Sequence, residues 1–92
     1  MELRQLEIYI AAVEERSFTA AANRMYISHS AVSRTVGALE RELGVQLIWR
    51  TNRVMELTAA GEELFRQAKE LVAARDRAVD EVRCAIERGK DT

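Results

Sequence analysis

Apolar residues recur at steps of three and four from the start of the chain. Leu3, Leu6, Ile10 and Val13, with Tyr9 beside them, predict an amphipathic first helix. Charge then gathers at Glu14-Glu15-Arg16, and Ser17 follows as a candidate N-cap for a second helix over about 18–25. That helix is dominated by Ala20-Ala21-Ala22, small enough for another helix to cross it closely. Tyr26 and Ile27 form a turn, and Ser28 is placed to cap a third helix. In the third, Val32, Val36, Leu39 and Leu43 make one predicted buried stripe, and Gly44 suits the left-handed residue that ends a helix.

The period then shortens. Val45, Leu47 and Trp49 alternate with Gln46, Ile48 and Arg50, and Val54 to Leu57 form a second short extended stretch. Thr51-Asn52-Arg53 between them is turn chemistry, so a β-hairpin is expected over about 45–57. From Thr58, a candidate N-cap, the pattern turns helical for good. Phe65, Ala68, Val72, Arg75, Val79, Val82 and Ile86 follow strict three-four steps, and Leu64, Leu71, Ala78 and Ala85 widen the stripe. A helix to Arg88 would be about 46 Å long at 1.5 Å per residue, more than so small a domain can cover. The stripe Phe65, Ala68, Val72, Val79, Val82 and Ile86 is therefore expected to meet a second copy of the chain. Arg75 is expected at the edge of that seam or paired with a carboxylate. A helix lying across its own domain is the plainer alternative.

The predicted fold is mainly α: a winged helix-turn-helix of three helices and a β-hairpin wing over residues 1–58, with the helix-turn-helix at about 18–37. A long linker and dimerisation helix over 59–92 follows. Composition agrees with a small helical domain. Nearly half of the 92 residues are apolar, about a third are charged, and there is no proline. No apolar run reaches the roughly 20 residues of a membrane span, and the start MELRQLEIYI lacks the basic stretch and cleavage site expected of a signal peptide. One cysteine, Cys84, and one histidine leave no internal disulfide and no zinc set, as in a cytoplasmic protein. Paired carboxylates, an activated nucleophile and a phosphate-cradling glycine loop are all missing, so an enzyme is not expected.

Charge alters the picture little. The formal net charge is −1; residues 28–58 hold four arginines and three glutamates, and each flank is −1. What remains is the polar face of the third helix. His29, Ser33, Arg34, Gly37 and Arg41 lie away from the apolar stripe, and imidazole, hydroxyl and guanidinium groups suit base edges and phosphates in a major groove. Gly37 costs about 1 kcal/mol relative to alanine in a helix interior, which suggests close approach of a second backbone, from DNA or another helix. Glu40-Arg41-Glu42 reads as a solvated face. An interaction module that binds protein through the third helix is the competing reading.

The residues resemble one family across essentially the whole chain: the N-terminal DNA-binding region of LysR-type transcriptional regulators. The matching segments are LRQLEIYIAAVEERSFTAAANRM, the S-x-S-A-V-S-R run from Ser28 to Arg34, ALERELGVQL, R-T-N-R, and L-T-A-A-G at Leu57 to Gly61. The resemblance implies a winged helix-turn-helix whose linker helix pairs antiparallel with that of a second subunit. It implies a homodimer on an interrupted inverted repeat of double-stranded DNA, and a tetramer in a full-length protein. By matching position, Ser28 would contact phosphate, His29 and Ser30 would face bases, Ser33 and Arg34 would contact bases or backbone, and Arg53 would carry the wing into the minor groove. The chain departs from the family at His29-Ser30, where Gln-Pro is frequent, and at Trp49, where glutamate is common. Trp49 is expected to pack half-buried against the linker helix. No cofactor is implied for this stretch. A small-molecule effector would belong to a C-terminal domain beyond the polar end at Arg88 to Thr92, so a DNA-binding fragment of a longer regulator is expected.

Overall fold

The computed structural model describes residues 1–49 and 55–89. Its elements are α1 (Leu3–Glu15), α2 (Phe18–Met25), α3 (His29–Leu43), β1 (Ile48–Trp49), β2 (Glu56–Leu57) and α4 (Ala59–Gly89). β1 and β2 pair antiparallel, with Ile48 opposite Leu57 and Trp49 opposite Glu56. The wing predicted for about 45–57 is thus a short ribbon whose tip, with Arg50 and Arg53, lies outside the described residues.

α1 is the hub. Leu6 and residues 8–12 are all buried, so it is wrapped on most sides rather than along one stripe. On one side Ile8, Ala11 and Ala12 meet Ala21 and Ala22 of α2 and Val32 of α3. These alanines let the three helices cross closely. On the other side Leu6, Tyr9 and Ile10 pack with Val36, Leu39, Leu47, Ile48, Leu64 and Ala68.

The start of α4 is locked to the wing. The Thr58 hydroxyl donates to the Gln46 carbonyl at 2.6 Å and accepts from the Gly61 N–H at 2.9 Å, so one side chain caps a helix and holds the segment that leads into β1. A Cβ on Gly61 would overlap the Leu47 carbonyl oxygen, so only glycine allows this approach. The Tyr9 hydroxyl donates to the Gly61 carbonyl at 2.8 Å.

Several expectations are corrected. Leu43 is exposed at 41 %, so the buried stripe of α3 stops at Leu39. Leu47 and Ile48 both face the core while Val45 and Trp49 do not, because the chain is still turning out of α3 before pairing begins. Trp49 is therefore 49 % exposed, beside Glu56, and is absent from the apolar core that Ile48 enters. Glu40 is not a solvated residue: its carboxylate accepts from the backbone N–H groups of Leu47 at 2.8 Å and Ile48 at 3.4 Å. These amides would otherwise lack partners where the chain leaves α3.

Ala68 is corrected too. It is fully buried against this chain's own core, and Phe65 and Val72 are partly covered by the same core. The first half of α4 spends its stripe on α1. Beyond Arg75, whose guanidinium bonds Glu7 of α1 at 3.1 Å, the same stripe runs on uncovered, with Val79, Val82 and Ile86 exposed.

Candidate nucleic-acid interface

The turn between α2 and α3 sets the interface. Ser17 accepts from the Ala20 N–H at 3.1 Å to open α2. Tyr26 ends it in the left-handed region at φ 58°, and the Ile27 N–H reaches back to the Ala22 carbonyl at 3.0 Å. This two-residue closure satisfies the last carbonyls of α2 and turns the chain sharply into α3. Arg24 fixes the arrangement from outside, pairing with Glu14 at 2.9 Å and Glu15 at 3.2 Å; hydrogen bonding to Glu14 is the largest cause that raises its pKa, desolvation opposes it, and hydrogen bonding to Glu15 adds to the rise.

Ser28 accepts from the Ala31 N–H at 3.1 Å and so caps α3. Its oxygen also lies 3.2 Å from that of Ser30. Capping uses the Ser28 oxygen as acceptor and leaves its proton for Ser30 or for an incoming phosphate. His29 opens the helix with its ring 5.8 Å from that of Phe18, tilted by 53°, so α2 steadies the imidazole. His29, Ser30 and Arg34 are exposed and Ser33 is half-buried beside them. With Val32, Val36 and Leu39 turned inward, these four share the outward side of one helix. Of the six residues expected to meet DNA, five thus stand together at the N-terminal half of α3. Arg53 lies outside the described residues.

Behind this face the support is rigid. Burial, and secondarily the negative charge of Glu40, pushes the Tyr9 hydroxyl well above the usual tyrosine range, so it stays a donor to Gly61. Glu40 and Tyr9 carry no periodic signal that would mark them. Glu40 sits in a charged run and Tyr9 beside a stripe, so sequence patterns alone pass over both roles. Among the described residues no group of three or more His, Cys, Asp or Glu could hold a metal ion, and no helix is long and apolar enough to cross a membrane.

Residues 3–62 match the family described as bacterial regulatory helix-turn-helix protein, lysR family. The chain belongs to this family. The transcriptional regulator ClcR of Pseudomonas putida is 47% identical over 72 residues, covering 78% of this chain and 24% of ClcR. TfdT of Cupriavidus pinatubonensis is 45% identical over 73 residues, 79% of this chain and 32% of TfdT. The chain thus spans about a third or less of these relatives' length. Among solved structures, the CbnR DNA-binding domain in its DNA complex aligns with a TM-score of 0.88 at 40% identity, covering 92% of this chain and 98% of that one. The BenM DNA-binding domain with catB site 1 DNA aligns at 0.86 and 38% identity, covering 90% of this chain and 92% of that one. The chain is a LysR-type winged helix-turn-helix domain with a long C-terminal helix, and the relatives that it matches are transcriptional regulators.

Proposed function

We propose that this LysR-type domain binds double-stranded DNA in a sequence-specific manner, as the reading head of a bacterial transcription regulator in the cytoplasm. α3 enters the major groove N-terminus first. His29, Ser30, Ser33 and Arg34 meet base edges and neighbouring backbone, and Ser28 meets a phosphate. Arg53 extends the wing into the minor groove, where negative potential favours arginine. The observation that carries this reading is the outward face of α3, which keeps a histidine, two serines and an arginine together at the free end of a rigidly supported helix.

Two copies pair through the uncovered end of α4 and place two α3 helices on an interrupted inverted repeat. The support is the exposed run of Val79, Val82 and Ile86, with Leu71 beside it, on a helix that has left its own domain behind. In a full-length regulator the dimers would form a tetramer. A small-molecule effector would act on the remainder of that longer protein, and this stretch itself needs no cofactor.

The test is duplex binding as a function of salt. Affinity should fall steeply as salt rises, because each neutralised phosphate releases counterions. Arg34→Ala should reduce the preference for the cognate sequence over a random one. A domain that used α3 to bind protein would show neither behaviour.

A further inference from the structure

The C-terminal half of α3 carries a surface that the base-reading residues leave unused. Arg41 stands seven residues after Arg34 on the same line of the helix, about 10 Å further along its axis at 1.5 Å per residue. It is exposed, and both carboxylates beside it in sequence are engaged elsewhere. Glu40 turns inward onto the Leu47 and Ile48 amides. Glu42 pairs with the N-terminal ammonium of Met1 at 2.9 Å. Arg24, Arg66 and Arg75, on other helices, each have a carboxylate partner. Arg41 has none among the described residues.

Gly37 determines where this guanidinium lies. A Cβ on Gly37 would stand 3.3 Å from Arg41 Nη1, closer than ordinary contact. No neighbouring helix approaches Gly37 there; the Arg41 side chain alone occupies the space, leaning toward the helix N-terminus as helical side chains do. Beside it the surface dips into a shallow depression bordered by Gly37, Arg41, Gly44, Val45 and Gln46. Gly44, with open space where a Cβ would stand, leaves one side of it open, and the one carboxylate on its border, Glu40, is occupied by backbone amides.

We infer that this depression seats a phosphodiester of the bound duplex, with Arg41 clamping it. The inference rests on the DNA-binding reading of α3. A guanidinium offers paired N–H donors that match phosphate oxygens. Such a contact fixes the position of α3 on the duplex and carries no sequence information of its own.

The experiment is a salt titration of binding by the purified chain, on its selected duplex and on a random one. The proteins compared are the wild type, Arg41→Gln, Arg41→Lys and Arg34→Ala. Arg41→Gln should lower the slope of log affinity against log salt by about 0.9 per bound copy. It should weaken both duplexes by the same factor and leave their ratio unchanged, whereas Arg34→Ala changes the ratio. Arg41→Lys should retain the slope. A wild-type slope in Arg41→Gln overturns the inference, including the case where only thermal stability falls, since that marks a helix-end charge effect. A changed specific-to-random ratio in Arg41→Gln also overturns it, by making Arg41 a base reader. Wild-type protein that binds no duplex even at low salt would instead overturn the DNA-binding reading itself, and this inference with it.

Discussion

The hydroxyl of Tyr9 donates to the backbone carbonyl of Gly61 at 2.8 Å, joining the centre of the buried α1 to the first turn of α4. These residues are 52 positions apart, and their bond is one of the contacts that tie the start of the long helix to the domain. Tyr9→Phe should cost about 1 kcal/mol at neutral pH, the usual net worth of one hydrogen bond. Because burial raises the pKa of Tyr9 in the folded state, its contribution is complete below about pH 10, the unfolded value, and declines as pH rises above it. The stability gap between wild type and Tyr9→Phe, measured by urea denaturation across pH, should therefore shrink on the alkaline side. A gap that stays constant from pH 8 to 11 would contradict this assignment.

Gly61→Ala should be more damaging than Tyr9→Phe. Its Cβ would collide with the Leu47 carbonyl, which is backbone and is already held by Thr58. Relief requires α4 to lift away from the wing, at a cost of about 1–3 kcal/mol or more. Thermal unfolding followed by circular dichroism measures this directly. A wild-type melting temperature would mean that the two elements are not packed so closely.

Most of the helical framework was legible in the sequence, because periodicity and caps report local geometry. Ser17, Ser28 and Gly44 each stand at the helix ends where their chemistry placed them. Periodicity fails where a stripe changes partner. The repeat through Ala68, Val72, Val79 and Ile86 is continuous, yet Ala68 faces α1 and Val79 faces outward, since the core ends and the helix does not. Likewise the alternation of Val45, Leu47 and Trp49 misplaced Trp49, because strand geometry begins only at Ile48. The DNA-facing residues were legible as types on one face. Arg41 was visible in that face, but its freedom from Glu40 and Glu42 depends on tertiary contacts.

This division of α4 yields opposite outcomes for two similar substitutions. Val79→Asp, on the uncovered stripe, should leave the domain folded and make it sediment as a monomer. Ala68→Asp buries an unpaired charge in the core and should unfold the domain, at a cost of several kcal/mol. Sedimentation and circular dichroism on both proteins separate the cases. A Val79→Asp protein that remains dimeric would remove the dimer seam from this end of α4.

Arg34 is exposed on the reading face with no carboxylate among the described residues to restrain it. Arg34→Ala should cost about 1–3 kcal/mol on the cognate duplex if it forms a good base contact. Its effect on a random duplex should be smaller, and competition binding with the two duplexes gives the ratio. Equal losses on both would make Arg34 a phosphate contact.

The central claim is that α3 reads sequence, in two copies held by α4. Selection of random duplex DNA by the purified chain, followed by sequencing of the bound pool, tests it most directly. An interrupted inverted repeat should emerge, with half-sites whose preferred bases change when His29 or Ser30 is replaced. A bound pool with no enriched sequence would contradict the claim.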